Sequence, residues 1–315
     1  MAEREHHEDK APKGPVLLYH YTTEKGLYGI LESDTIWATH YQFLNDSSER
    51  SLGFDTYRRT IESVDRSTSG MPQGIVQAER EVLRNYFNAV DAYVVSFTKD
   101  SHSDDCNYQG DRLSQWRGCG QGSQGYCLGF SYNSISEIAA ELHHRIRLGG
   151  ILRDCIYSEK VMTKAVDSQR RAHLENLRGV ADQYFRKHQE KAGFAPAENK
   201  DFMNEVRRHA VEMLQECSLY KHPAFWEEDE VRLLVSYVKD VSDSRVIRFR
   251  DGQLGKTPYL EIPLDLKGEN APLKKIVVGP SPNQDQFFTR LCIQLEKKQI
   301  RGVEVVRSVI PYRNW

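Results

Sequence analysis

Leu17-Leu18-Tyr19-His20-Tyr21-Thr22-Thr23 is an apolar run that ends in a polar His-Tyr-Thr tip. It continues into Glu24-Lys25-Gly26-Leu27-Tyr28-Gly29-Ile30-Leu31 and then Thr35-Ile36-Trp37-Ala38-Thr39. Thr22 or Thr23 is placed to cap the following helix, because a threonine oxygen accepts a bond from a first-turn N–H that has no partner inside the helix. Leu27, Ile30 and Leu31 recur at helical spacing and give that helix one core face. The helix stops near Ser33-Asp34, and a second strand follows. Chemistry can therefore sit where a buried strand emerges, at His20.

A chain of 315 residues is long enough for one large domain or two small ones. The net charge of −2 argues against a globally basic nucleic-acid coat, though not against a local patch. No apolar run approaches the roughly 20 residues needed to cross a bilayer. Residues 1–14 lack the apolar stretch of a secretory signal and read as a disordered tail. The six cysteines form no C-x-x-C pair, and a chain this size needs no disulfide staples. Reduced thiols of a cytoplasmic protein are the expectation. Cys119, Cys127 and His102 match no usual zinc-ligand spacing.

Outward from the first unit, helical stretches are expected at about 49–88 and 160–220, both as insertions. Strands are expected at Ala92–Thr98, Gly125–Ser131, Ile151–Tyr157, Val231–Val238, Tyr259–Leu264, Lys275–Gly279 and Gly302–Val309. Pro263 cannot donate to a ladder, which predicts a short or edge strand there. Ser134 and Glu137 have capping-box spacing. Residues 99–125 read as a long polar loop. The sum is an α+β fold, a split mixed sheet with outer helices, in a single domain over 15–315.

Gly120-Gln121-Gly122-Ser123-Gln124-Gly125 matches a dinucleotide fingerprint in letters only, because no strand precedes it and no helix follows it. Nearby, Trp116 and Arg117 of Ser114-Gln115-Trp116-Arg117 can stack on a planar ring or grip phosphate, or can simply anchor the loop. In Trp226-Glu227-Glu228-Asp229-Glu230-Val231-Arg232, strand alternation puts Glu228, Glu230 and Arg232 on one face. That row holds two carboxylates and a cation at the lip of a sheet. In the helical stretch, Arg170, Arg171 and their neighbours are interleaved with acids, as on a solvated helix face.

Taken together, Tyr19–Thr22, Gly29–Trp37, Leu44–Glu49, Ser96–Thr98, Ser114–Arg117, Gly125–Phe130 and Glu228–Leu233 resemble a large bacterial domain family of unknown function. Its pattern is Y-H-Y-T, S-Q-W-R and E-x-E-x-R, spread over about residues 16–310. That family is in turn distantly similar to ADP-ribosyltransferases of the His–Tyr–Glu type. The resemblance implies an ADP-ribosyltransferase-like sheet and NAD as co-substrate, with no metal. His20 would bond a ribose hydroxyl, and the backbone of Tyr21 would hold the nicotinamide carboxamide with Thr22 nearby. Ser96, Trp116, Arg117 and Tyr41 would complete the cofactor side, with Tyr93 and Tyr108 as further candidates for the stacking aromatic. Glu230 would be the catalytic glutamate, with Glu228 as the alternative on the same face.

The implied activity is mono-ADP-ribosylation of a macromolecular acceptor (DNA, RNA or protein) by a bacterial toxin or phage-defence factor. An antitoxin or phage protein would be its partner. Many such enzymes have glycine where this chain has Tyr21, which favours a non-catalytic nucleotide sensor as the alternative. A third reading, a metal-dependent nuclease, would use Asp46, Glu49, Glu228 and Glu230.

Overall fold

A computed structural model describes residues 16–44, 49–67, 76–77, 79–83, 90–99, 110–119, 125–146, 148–188, 198–238, 244–252 and 255–311. In chain order the elements are β1 (Leu17–Thr23), α1 (Glu24–Ser33), β2 (Thr35–His40), α2 (Glu49–Ser67), β3 (Val90–Thr98), α3 (Leu113–Cys119), β4 (Gly125–Ser131) and α4 (Tyr132–Ile146). There follow β5 (Gly149–Asp154), α5 (Glu159–His188), α6 (Lys200–Leu219), β6 (Glu230–Val238), β7 (Arg248–Gly252), β8 (Gly255–Pro263), β9 (Leu273–Val278), α7 (Gln284–Lys297) and β10 (Glu304–Arg307). The class is α+β with both parallel and antiparallel strand pairs. No helix among the described residues is long and apolar enough to cross a membrane.

The chain divides into two compact units. The first takes residues 1–33, 98–137 and 265–315. Its strands run in the order β10-β9-β4-β1. β4 is antiparallel to both β1 and β9, whereas β10 lies parallel to β9. A parallel neighbour needs a crossover, and α7 supplies it, burying Phe287, Leu291 and Leu295. Thr23 caps α1, its Oγ1 accepting from the Gly26 N–H at 3.1 Å. Leu27, Ile30 and Leu31 then form the buried face, as their spacing requires. Gly110 has φ +79 and packs on the Tyr19 ring, where an added Cβ would lie 2.5 Å from Cδ1. Only glycine satisfies both the backbone angle and that close approach.

The second unit takes residues 34–97 and 138–264. β2, β8 and β7 follow β3 in order, and β6 pairs with β3 and β5. Against these strands lie α2, α5 and α6. Leu177, Ala181, Phe202, Val206 and Ala210 interlock α5 with α6. Tyr57, Met162, Val166, Met213 and Cys217 join all three helices. Leu214 and Leu219 of α6 pack on Val90, Ala92, Val94 and Leu234 of the strands. The helical stretch expected at 160–220 is thus a pair of helices with a core of its own.

Four local expectations are corrected. α4 starts at Tyr132, with Ser131 Oγ accepting from the Ser134 N–H at 3.4 Å, so Ser134 lies inside the helix and is not its cap. The strand carrying Pro263 is neither short nor at an edge: it spans 255–263 between β2 and β7, and Pro263 closes it beyond the last β7 partner, Tyr259. Ser114-Gln115-Trp116-Arg117 lies on the short helix α3, not in a loop. Glu228 ends a 3-10 helix over Pro223–Glu228, so only Glu230 and Arg232 of the acidic row belong to β6. Residues 1–14, the glycine run at 120–124, Asp46, His102, Cys106 and Tyr108, and the side chains of Glu49 and Cys119, lie outside the described residues.

Candidate functional site

The entrance to β6 is shaped by two local features. His222 caps the 3-10 helix, its Nδ1 accepting from the Ala224 N–H at 3.1 Å. Asp229 then takes a left-handed conformation, φ 45 and ψ 49. Aspartate tolerates that region better than most residues, and the turn separates Glu228 from Glu230. Glu230 is fixed at both backbone groups: its N–H donates to the Tyr157 hydroxyl at 2.9 Å, and its carbonyl accepts from the Cys155 N–H at 2.9 Å.

The Glu230 side chain is only 5 % exposed, so its charge has to be met by protein. Arg232 forks onto it, Nε to Oε1 at 2.8 Å and Nη2 to Oε2 at 3.1 Å, while its Nη1 donates to the Ser218 carbonyl at 2.6 Å. Lys221 Nζ donates to Glu230 Oε2 at 2.7 Å and to Glu228 Oε2 at 2.5 Å. Glu228 is half-buried, and Phe225 and Trp226 beside it are exposed. The four ionised side chains balance, two positive against two negative. Burial works to raise the Glu230 pKa, but the charges of Arg232 and Lys221 outweigh it and hold the carboxyl at about 2. Burial likewise works to lower Lys221, and the Glu230 and Glu228 carboxylates reverse it, raising the ammonium well above its usual range. Burial pushes the Tyr157 hydroxyl up as well. The cluster is a charge-balanced array in which one lysine ties a solvent-facing carboxylate to a buried one.

Lys221, Tyr157 and Ser218 were not visible as site residues in the sequence. The one available signal was indirect, since a carboxylate entering an apolar strand needs a cation close by.

In the first unit, His20 is half-buried on β1 opposite Leu128, and Thr22 lies opposite Tyr126. Tyr21 is buried; its ring meets Trp116 edge-on at 4.9 Å, and its hydroxyl accepts from the Arg112 N–H at 3.1 Å. Trp116 is 2 % exposed. Its indole N–H donates to Asp111 Oδ1 at 2.7 Å, and the same carboxylate accepts from the Ser308 hydroxyl at 2.6 Å and the Val309 N–H at 2.8 Å. Trp116 thus packs as an anchor for its segment, while Arg117 is exposed in the last turn of α3. Ser96 is half-buried on β3, in the second unit. Tyr41 follows β2 in the same unit, its ring 5.1 Å from that of His40. The structure therefore brings Glu228 and Glu230 together in one unit, and Tyr21 and Trp116 together in the other.

Among the described residues, Glu79, His173 and His209 have donor atoms close enough to share a metal ion. Their present arrangement does not fit one. Arg170 already holds both Glu79 oxygens, at 2.5 and 3.1 Å. The two imidazoles are stacked 3.8 Å apart at 9°, so lone pairs in the ring planes do not converge between them. His173 bridges Glu79 and Glu205 at 3.1 and 3.0 Å, and His209 Nε2 meets the Tyr57 hydroxyl at 3.0 Å. This is a buried charge network that ties α2, α5 and α6 to the helical turn at 79–83.

No curated protein and no solved structure matches the chain. Residues 115–233, which run from the α3 segment through Glu230 and Arg232, match a family model described as a protein of unknown function (DUF2971).

Proposed function

We propose that the chain is an NAD-dependent mono-ADP-ribosyltransferase with an ADP-ribosyltransferase-like fold, acting on a macromolecular acceptor as a toxin or defence factor. The observation that carries this reading is the Glu228–Lys221–Glu230 array, in which one carboxylate is held ionised in the interior and a second faces solvent. In the reaction, the bond between the ribose C1′ and the nicotinamide nitrogen breaks with its electron pair leaving on nicotinamide. The acceptor nucleophile bonds to C1′ and gives up its proton. The transition state carries oxocarbenium-like positive charge, as in glycoside hydrolysis. Fixed negative charge near C1′ stabilises it, and losing one preorganised group of this kind costs on the order of 3–4 kcal/mol.

Both Glu230 oxygens are engaged by Arg232 and Lys221. Glu228 is therefore assigned the contact with the ribose hydroxyl, and Glu230 fixes Lys221 and the local field. For the residues of the first unit, the resemblance assigns His20 to a ribose hydroxyl, the Tyr21 backbone to the carboxamide with Thr22 nearby, and Arg117 to phosphate. Labelled NAD incubated with the full chain and separate DNA, RNA and protein pools tests the reading. Transfer of label to one pool supports it, and no transfer to any pool refutes it.

Two observations favour a second reading, a nucleotide-binding sensor without turnover. The Glu230 carboxylate has both oxygens occupied, and Tyr21 is packed as a core residue. Calorimetry separates the two: NAD binding with no nicotinamide released supports the sensor.

A further inference from the structure

We propose that the sheet face formed by β2, β8 and β7 binds single-stranded nucleic acid, with phosphate on Arg250 and Arg248 and a base against Trp37. Directly opposed residues share a face of a sheet. Arg248 opposes Tyr259, which opposes Thr39, and Arg250 opposes Thr257. Arg248, Arg250, Tyr259, Thr39 and Trp37 therefore line one surface at the end of the strand order.

The Arg250 guanidinium is the informative group. It reaches across β8 so that Nη2 donates to Thr39 Oγ1 at 2.9 Å, and its centre lies 5.4 Å from the Trp37 ring centroid. It is half-buried, yet among the described residues no carboxylate lies within ion-pair distance of it. A guanidinium carries five N–H donors in a fixed fork, and a neutral hydroxyl answers one of them. Burial draws its pKa down, which is the mark of a charge lacking a counter-ion. An anion is the missing partner.

Aromatic surface beside the cation selects the kind of anion. Trp37 is 37 % exposed and rests on Tyr259 at 4.4 Å, a supported ring with accessible surface. Phe249, between the two arginines in sequence, points to the opposite face of β7 and takes no part. Guanidinium and aromatic side chains on one strand face are the combination that grips phosphate and stacks bases. Glu261 opposes Trp37 on this face, and Asp251 is turned away to Lys256 at 2.6 Å. The inference does not depend on the transferase reading, and each can fail without the other.

The test is fluorescence anisotropy of labelled oligothymidylate and oligouridylate with the full chain, titrated over a range of salt. Inorganic phosphate and an oligoglutamate peptide serve as competitors. Binding should weaken with salt and quench tryptophan fluorescence. Arg248→Ala and Arg250→Ala should each reduce the salt slope by about one. Trp37→Ala should lower affinity roughly 5- to 100-fold, the range for loss of one stacked base. Circular dichroism should confirm that these variants fold, and the exposed Arg248→Ala serves where Arg250→Ala does not. Absence of binding at low salt, binding unchanged in Arg248→Ala, or equal displacement by oligoglutamate would overturn the proposal.

Discussion

Lys221 Nζ lies 2.7 Å from Glu230 Oε2, and both side chains are more than nine-tenths buried. Arg232 forks onto both oxygens of the same carboxylate, so removing the lysine takes away one of the two cations that answer its charge. Breaking one partner of such a pair typically costs about 3–5 kcal/mol. With Arg232 still in place, Lys221→Met should lower the unfolding free energy by an amount up to that range, read as a fall in the urea midpoint equal to the loss divided by m. Glu228→Gln should change stability by no more than about 1 kcal/mol, because Glu228 is partly exposed and its pair is screened. Urea melts of the two variants check the contrast.

Acid stability should fall in two stages. His209 is held neutral, its pKa drawn from 6.5 to about 2 mainly by burial, with His173 and Arg170 adding to the effect. Below pH 6.5 the unfolded state therefore binds a proton that the folded state refuses, and stability declines as pH falls. Glu230 and Glu205 are both lowered from 4.5 to about 2. Their contribution is complete above pH 4.5 and is lost as pH falls toward 2. Melting temperature measured across this range should show the first decline vanish in His209→Phe, while the second remains.

Gly53 of α2 lies against the α6 backbone. A Cβ built there would sit 2.3 Å from the Cys217 carbonyl oxygen, and backbone cannot yield as a side chain can. Gly53→Ala should gain about 1 kcal/mol in helix propensity. It should lose about 1–3 kcal/mol or more to overpacking, for a net destabilisation visible in a thermal melt. A net rise in melting temperature would show that the helices can separate.

Much of this architecture was legible because short-range rules decide it. The Leu17–Thr23 strand, the threonine cap and the Leu27-Ile30-Leu31 face follow from alternation, capping chemistry and helical spacing, and they are present as such. α3 was hidden because Leu113–Cys119 is too short to show a helical period, and its anchor is tertiary, the Trp116 indole on Asp111. The Ser134-Glu137 spacing misled because Ser131, three residues earlier, was equally able to cap. At the site, Glu230 and Arg232 could be paired by the period of a strand, but Lys221 could not. It reaches them through the turn at Asp229, and no periodicity carries a residue across a left-handed turn.

Release of nicotinamide from NAD by the purified full chain reads the role of Glu228 and Glu230 at the bond that breaks. Wild type should turn over. Glu228→Gln should reduce kcat on the order of 100-fold or more, as expected for loss of a group acting in the transition state, while its melting temperature stays close to that of wild type. Nicotinamide release by Glu228→Gln at the wild-type rate, or none from the folded wild-type chain with any acceptor supplied, would rule out Glu228 as the group that acts on the ribose.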